Sequence, residues 1–447
     1  MSGHDLISLL VIAQLAAPLA TLAAIGLPAL ADRPLSEAST TRLVSIGFAV
    51  GFLSAVATLA VLAVRGFRPE IVHVATWFAV GHHEATIHLV ADALSVPYVC
   101  FSSGLCWLVN AFAGKYLHRE PGFTRFFILL TLFGAGMNLM VLADSIDVLF
   151  AGWECLGISS ALLIGFFHER SNAVKAALRA FTTYRICDVG ILTASVVIHR
   201  AVGSGDFDRL FGVNWPNGTC LVSATTATAV SLLLVFAALG KTAQVPFSGW
   251  LPRAMEGPTP SSAIFYGALS IHAGAYVLLR CEPLLEQAPL ARAALILIGT
   301  GTAIHASLVG RVQTDLKSVL AFASMTQASL ILVEIGLGWR VIPLVHVIGH
   351  AILRSLQILR SPSALHDRHE LAAALGGHPG PSGSWLISIL PQAWQTHLYR
   401  IALDRGYEEM AVSRFVAGPI VRLLERAAAL EKAWIAWLAG ESSEHRR

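Results

Sequence analysis

The chain has 447 residues, of which 55% are hydrophobic and only 13% are charged. A typical soluble domain has about 25% charged residues, so this composition argues against a soluble protein and favours a chain largely surrounded by lipid. The formal net charge of +3, without a basic run, gives no reason to expect a nucleic-acid partner.

Apolar segments long enough to cross a bilayer recur along the first four-fifths of the chain. A membrane-spanning helix needs about 20 mostly apolar residues. The segments that meet this length lie near 6–30, 42–64, 89–113, 123–142, 145–168, 180–200, 221–240, 262–281, 290–310, 316–338 and 340–359. Membrane β-barrels show short alternating segments instead. The sequence therefore predicts an all-α polytopic bundle in residues 1–360, with about eleven transmembrane helices, one of them broken.

Loop charges and the tail complete the predicted layout. Loops rich in Lys and Arg tend to be cytoplasmic, and the alternate loops that carry more of them predict an outside N-terminus and a cytoplasmic C-terminus. Residues 361–447 change character, with a Gly/Pro/Ser-rich joint at 376–383 and apolar side chains at helical spacing within 400–440. We expect a cytoplasmic tail with an amphipathic helix for a partner or the membrane surface.

Glu154 is a carboxylate in the middle of the fifth apolar span. An ionisable group there costs about 2.5–3.5 kcal/mol on insertion scales, so it is a candidate for function. It must meet a cation from another helix or hold a proton. Either condition suits a group that exchanges protons, and a structural ion pair would explain Glu154 equally.

Lys241 follows the seventh apolar run and precedes Pro246. Proline interrupts a helix, and the freed backbone groups must then face protein or water. The pattern predicts a broken helix with a buried, titratable ammonium at the break. A lysine that extends from a helix end toward the membrane surface is the alternative.

Two further spans carry polar residues at spacings that place them on one helix face. Arg185 and Asp188 lie three apart and can pair on one helix face, which suggests a structural role. His346, His350 and Arg354 follow at i, i+4 and i+8 on one stripe of the eleventh span. Histidines titrate near neutral pH and can pass protons along such a stripe, although this spacing could also bind zinc.

His272 and Lys317 add polar points to the eighth and tenth spans. Each could be a satisfied core residue, but the series favours a conducting path. The group His82, His83, Glu84 and His88 lies in a loop without catalytic context, and we expect no metal site in this chain.

These segments resemble the antiporter-like subunits of respiratory complex I, the family that includes the large Mrp cation-antiporter subunits. The resemblance rests on Gly-Trp-Glu at 152–154, on Gly-Lys-Thr-Ala-Gln-Val-Pro at 240–246 and on Val-Gln-Thr-Asp-Leu-Lys at 312–317. It implies that Glu154 is the family's essential fifth-helix glutamate and that this glutamate modulates Lys241. Lys317, beside Asp315, would be the central-axis lysine.

The same resemblance aligns His346, His350 and Arg354 with two histidines and a lysine of the family's eleventh helix. Arginine does not release its proton at physiological pH, so Arg354 would be a fixed charge. Tyr266 stands where the family usually has a histidine. No twelfth span with a terminal lysine or aspartate follows, so a complete two-half channel is not expected.

Residues 350–367 and the tail, with Arg-Gly-Tyr at 405–407, further resemble the DabB-type membrane subunit of the DAB inorganic-carbon accumulation complex. This implies a bacterial inner-membrane location and a large cytoplasmic DabA-type partner with a zinc site like that of β-carbonic anhydrases. Proton or Na⁺ flow through this chain would drive the partner's hydration of CO2 to bicarbonate. The chain itself would carry no cofactor and no enzymatic chemistry.

The sequence thus predicts a path from Glu154 and Lys241 through His272 and Lys317 to His346 and His350. Two other interpretations remain open at this point. The chain could be a proton-pumping subunit of an NADH-quinone oxidoreductase or an Mrp antiporter, or it could be a non-conducting membrane anchor for an enzyme.

Overall fold

A computed structural model describes residues 3–80, 83–212, 215–216, 218–361, 391–407, 410, 414–415 and 418–438. The chain divides into two units, residues 1–382 and 383–447. The predicted joint at 376–383 and the stretch 362–367 of the resemblance lie outside the described residues, as does His82.

The larger unit is a helical bundle with one small sheet. In chain order its elements are α1 (Gly3–Leu30), α2 (Glu37–Val64), β1 (Glu70–Val80), β2 (His83–Ala91), α3 (Ser95–Tyr116), α4 (Phe123–Leu142), α5 (Ile146–Ile164), α6 (Ser171–Val202), α7 (Phe207–Phe211), α8 (Ala224–Lys241), α9 (Thr259–Phe265), α10 (Ala273–Arg280), α11 (Glu282–Glu286), α12 (Pro289–Gly310), α13 (Leu316–Gly336) and α14 (Val341–Leu359).

Within the described residues, eleven helical segments are long and apolar enough to cross a membrane, with α9 and α10 together forming the eighth, Thr259–Arg280. The predicted polytopic helical bundle is therefore confirmed. Two helices begin five or more residues before the predicted apolar stretches. α2 begins at Glu37, after Ser36 accepts a hydrogen bond from Ser39 N, and α6 begins at Ser171. A search for long apolar stretches finds only the part of a helix that is surrounded by lipid. It therefore misses a first turn made of polar residues.

An antiparallel hairpin of β1 and β2 occupies the connection between α2 and α3. The predicted start of the third helix at residue 89 is wrong, because Leu89 lies in β2 and α3 begins only at Ser95. Asp92 sets that start: its Oδ1 accepts hydrogen bonds from Leu94 N at 3.0 Å and Ser95 N at 2.8 Å. Capping of this kind satisfies amides that the first helical turn leaves unpaired.

The break expected in the seventh span lies elsewhere. α8 ends at Lys241, so Pro246 lies beyond the helix and does not interrupt it. The broken span is the eighth, between α9 and α10. There Gly267 N bonds Ser262 O at 3.3 Å and Leu269 N bonds Ile264 O at 2.7 Å, both five residues back. Such wide turns interrupt a helix without leaving its amides unpaired and often mark functional positions.

Glycines bring the central helices close together. A β-carbon at Gly152 of α5 would lie 2.3 Å from Met140 N of α4, and one at Gly274 of α10 would lie 2.8 Å from Thr242 Cγ2, just past α8. Small residues allow such close packing between membrane helices. The backbones on either side of Glu154 and Lys241 are thereby fixed.

The smaller unit contains the helices α15 (Gln392–Leu403) and α16 (Gly418–Leu438). α16 fulfils the prediction of a helix in this region. Its large apolar side chains are exposed: Ile420, Leu423, Leu424, Leu430 and Trp434.

Candidate ion-conduction site

Lys241 is the last residue of α8, and its side chain is fully buried. Its Nζ donates to Trp153 O at 3.3 Å and lies 4.3 Å from the centre of the Tyr184 ring and 4.9 Å from that of Trp153. In the described part of the chain no carboxylate lies within 4 Å of this ammonium. Lys241 is thus enclosed by protein, and the alternative of a lysine extended to the membrane surface does not fit.

Glu154 meets its cation on the neighbouring helix. Arg185 of α6 forms an ion pair with Glu154 Oε2, and the same Nη2 lies 2.8 Å from Asp188 Oδ2, which confirms the predicted pairing of Arg185 with Asp188. Trp153 Nε1 donates to Asp188 Oδ1 at 2.5 Å. Trp153 therefore joins both parts of the cluster, because its carbonyl accepts from Lys241 while its indole holds Asp188.

Gly157 leaves the space in which the two cations lie. A β-carbon there would be 2.7 Å from Lys241 Nζ and 3.5 Å from Arg185 Nη2. When all four groups are ionised, the two carboxylates, Glu154 and Asp188, balance the two cations. The sequence analysis did not predict this role of Gly157, because a glycine has no side-chain group that would mark it as part of a site.

A chain of histidines lies at the break of the eighth span. His272 Nε2 is 3.2 Å from His350 Nδ1, and the rings of His346 and His350 are 6.4 Å apart. His346 Nδ1 lies 2.8 Å from Glu334 Oε1, and its Nε2 lies 3.0 Å from Gln327 Oε1. The structure thus brings together all three histidines of the predicted path.

Hydrogen-bond chemistry assigns the protons in the neutral pair. His272 Nδ1 contacts the carbonyl of Ala268 closely, and since a carbonyl only accepts, Nδ1 carries the proton. His272 Nε2 is then an acceptor, and His350 Nδ1 must donate to it. His350 Nε2 is left as a buried acceptor without a hydrogen-bond partner among the described residues. That nitrogen is placed to take up a proton.

Glu334, the partner of His346, was missed by the sequence analysis. It lies within the tenth apolar span, so the test that singled out Glu154 would also have found it. Three other predicted residues lie apart from these contacts. Arg354 Nη1 donates to Gln357 Oε1 at 2.8 Å. Asp315 caps α13 by accepting from Ser318 N at 2.8 Å, and Lys317 is half-buried in the first turn of α13.

One polar contact lies between the charged cluster and the histidines. Ser160 Oγ of α5 is 3.4 Å from Ser270 Oγ, two residues before His272, and both side chains are fully buried. Hydroxyls both donate and accept hydrogen bonds. The two hydroxyls thus connect α5, the helix of Glu154, with the turn that holds His272.

The chain matches two family models. Residues 143–375 match the transmembrane region described as NADH:quinone oxidoreductase/Mrp antiporter, and residues 77–127 match the N-terminus of NADH-ubiquinone oxidoreductase (complex I) chain 5. Both clusters of buried polar residues lie within the first match.

Curated relatives include NADH-ubiquinone oxidoreductase chain 5 of Schizophyllum commune, 34% identical over 66% of this chain and 42% of the relative. NADH-quinone oxidoreductase subunit L of Mycobacterium tuberculosis is 33% identical over 66% of this chain and 46% of the relative. The chain thus spans about half the length of the curated relatives it matches.

Two solved structures share the fold. The Mrp complex of Dietzia contains a chain with a TM-score of 0.65 and 25% identity, over 79% of this chain and 37% of that one. A chain of the archaeal membrane-bound sulfane sulfur reductase has a TM-score of 0.64 over 92% of this chain and 87% of that one. At 19% identity, this second likeness concerns the fold alone.

Proposed function

Because the chain belongs to the family of NADH:quinone oxidoreductase and Mrp antiporter membrane subunits, we propose that it conducts protons as the ion-translocating subunit of a larger membrane complex. The observation that carries this proposal is the burial of Lys241 beside the Glu154–Arg185–Asp188 cluster, without a carboxylate of its own in the ranges that the structure describes. A purely structural lysine would be paired, since unpaired buried charge is costly.

The cluster can control the proton on Lys241 through a change of partners. Arg185 can be shared by Glu154 and Asp188 or held by Asp188 alone. In the second state Glu154 is free to attract Lys241. Two unit charges 4 Å apart attract by about 4 kcal/mol at an effective dielectric constant of 20, which is about three decades in proton occupancy. Movement of the Arg185 guanidinium toward or away from Glu154 therefore favours release or uptake of the proton on Lys241.

The histidine chain offers the next proton acceptors. A proton released from Lys241 would pass by Ser160 and Ser270 to the histidines, where His350 Nε2 is the acceptor that no described residue engages. Uptake of a proton there lets His350 pass its Nδ1 proton to His272, and Glu334 stabilises a charge on the neighbouring His346. The membrane potential supplies about 2.3 kcal/mol per charge per 100 mV. Lys317 stays a proposed member of the path, and Arg354, which keeps its proton, stays a fixed supporting charge.

We further propose that the complex accumulates inorganic carbon. The resemblance of residues 350–367 and of the tail to the DabB-type subunit supports this, and so does the row of exposed apolar side chains on α16. The partner would be a large cytoplasmic zinc protein that resembles β-carbonic anhydrases, and the zinc would be the partner's. Proton or Na⁺ flow through this chain would make the hydration of CO2 in the partner one-way.

Affinity purification of the tagged chain from membranes, with mass spectrometry and zinc analysis, tests this finer proposal. Recovery of one large zinc protein is expected, and Leu423→Glu with Trp434→Glu on α16 should abolish it. Glu425→Gln, on the opposite side of the same helix, is the matched control. Recovery of quinone-reducing or several antiporter subunits would overturn the carbon-accumulation proposal and leave proton conduction standing.

The similarity to chain 5 and subunit L favours a second candidate, a subunit of an NADH-quinone oxidoreductase or Mrp-type assembly. A third candidate, a non-conducting anchor, would keep its full function in Glu154→Gln. A conductor of either kind should fail in that variant.

A further inference from the structure

A second charged cluster lies at the end of the bundle that carries the hairpin. Arg280, at the end of α10, forms a bidentate ion pair with Asp92, and their side chains are 6% and 1% exposed. Arg280 Nη2 also donates to Tyr276 Oη at 3.0 Å, and that hydroxyl donates to Val141 O at 2.5 Å. None of these residues belongs to the path described above.

A cavity beside the Asp92–Arg280 pair is lined by a further carboxylate, that of Asp144. The cavity is lined by Asp144, Arg280, Val90, Phe207, Phe211 and Trp215, among others. Asp144 is buried, with only 5% of its surface exposed. Its backbone is fixed on both sides, by Asp144 N to His88 O at 3.2 Å and by Phe207 N to Asp144 O at 2.8 Å.

The Asp144 carboxylate is available for proton exchange. Its oxygens accept no hydrogen bond from the described residues, unlike those of Asp92. Burial raises the pKa of Asp144 to about 7. The nearby carboxylates of Asp208, Asp206 and Asp92 act in the same direction, and Arg280 opposes them. A carboxyl group in such a setting can be found with or without its proton at neutral pH.

A column of polar side chains leads from this cavity to the histidine chain. His272, Tyr276 and Arg280 follow at i, i+4 and i+8, so they share one face of the eighth span, about 6 Å apart along the axis per step. All three are buried. The Tyr276 hydroxyl both donates and accepts, as a proton relay requires, whereas Arg280 keeps its charge.

We propose that this cavity is a proton port on the hairpin side of the membrane, in which Asp144 exchanges protons between the water on that side and the column leading to His272. This proposal rests on proton conduction as the proposed function, and it adds the place at which the proton path opens to water. Arg280, held by Asp92, fixes the Tyr276 hydroxyl beside Val141 O, on the helix face that it shares with His272.

Infrared difference spectroscopy of the full chain in membranes tests the port without relying on conduction. The test is made in Glu282→Gln, because burial raises the pKa of the Glu282 carboxyl to about 7 as well. In that background the carbonyl band of a protonated carboxylic acid should titrate near neutral pH and shift when the water is replaced by D2O. Adding Asp144→Asn should remove that band, whereas adding Asp147→Asn, the same change at an exposed carboxylate three residues along the chain, should leave it. A band that survives when Asp144→Asn is combined with Glu282→Gln contradicts the proposal.

Proton flux into sealed vesicles, made with the chain and the subunits that purify with it, provides the second measurement. Asp144→Asn should slow flux about tenfold or more, Asp144→Glu should restore part of it, and Asp147→Asn should match the unchanged chain. Equal flux in Asp144→Asn and the unchanged chain would overturn the port. If the unchanged chain conducts no protons, conduction fails as its function, while loss of the exchanging band would still assign proton exchange to Asp144.

Discussion

His350 Nδ1 lies 3.2 Å from His272 Nε2, although the two residues are 78 positions apart and belong to different spans. The carbonyl of Ala268 fixes the proton on His272 Nδ1, and this contact determines the tautomer of both rings. The consequence is a buried acceptor at His350 Nε2 that no described residue pairs with. His350 is therefore the position at which a small change should interrupt proton movement without disturbing the helices.

His350→Gln should conduct protons about tenfold more slowly or worse, since an amide keeps a donor toward His272 but cannot take up a proton. Proton flux into sealed vesicles measures this. His168→Gln, at an exposed position of the connection between α5 and α6, should have no effect. Normal flux in His350→Gln would mean that protons bypass the histidine chain.

Gly157→Ala should disable the charged cluster with little effect on the fold. The new methyl group would lie 2.7 Å from Lys241 Nζ, so the flexible end of the lysine must move away from Trp153 and Arg185. We expect a loss of proton flux of about tenfold or more. Gly301→Ala of α12, where nothing lies within 4 Å of the added carbon, is the control. Unchanged flux in Gly157→Ala would show that the position of Lys241 does not matter.

Asp92→Asn should lower the free energy of unfolding by about 3–5 kcal/mol, because Arg280 is left as a buried charge without its counter-ion. The amide oxygen can still cap α3, so the cost reports the ion pair and not the cap. Denaturant unfolding in detergent measures it, with Asp208→Asn as the control. A loss below about 1 kcal/mol would indicate that Arg280 finds another partner.

Stability should fall as the pH rises toward neutrality. Burial raises the pKa of Asp144 from 3.8 and that of Glu282 from 4.5, each to about 7, although Arg280 and Arg340 oppose the rise. Between about pH 4 and 7 the folded chain therefore binds more protons than the unfolded chain, and each group lowers the free energy of unfolding by up to about 1.4 kcal/mol per pH unit.

Melting temperatures across that range, for the unchanged chain and for Asp144→Asn with Glu282→Gln, test this pH dependence. The double variant should show a shallower slope. Asp92 acts in the opposite direction only near the acid end of this window. Burial raises the pKa of its carboxyl group, but the Arg280 guanidinium and the Ser95 and Leu94 amides lower that pKa on balance below 3.8. Stability that rises between pH 4 and 7 would contradict the account.

The spans and many of the charged residues within them could be predicted from sequence alone. A run of about 20 apolar residues has few other uses, and a charge within it stands out at once. This is why Glu154, Lys241 and the stripe with His346 and His350 were identified as candidates before any geometry was known. Pairing within one helix, as between Arg185 and Asp188, also follows from spacing alone.

Contacts between distant helices could not be predicted in this way. Asp92 and Arg280 are 188 positions apart, and nothing in their local patterns links them. The break at Gly267 depends on wide turns that several sequences could form, whereas Pro246 drew attention to a helix that had already ended. The hairpin was missed because its strands, of 11 and 9 residues, are shorter than a membrane span and two register shifts interrupt their pairing.

Proton flux through Lys241→Met most directly tests the central claim that a buried lysine carries the transported proton. The full chain, with the subunits that purify with it, is sealed into vesicles that contain a pH-sensitive dye, and a membrane potential is applied. Flux in Lys241→Met should fall to that of empty vesicles, while Lys115→Met, at an exposed position at the end of α3, should conduct like the unchanged chain. Flux through Lys241→Met at the rate of the unchanged chain would contradict the claim.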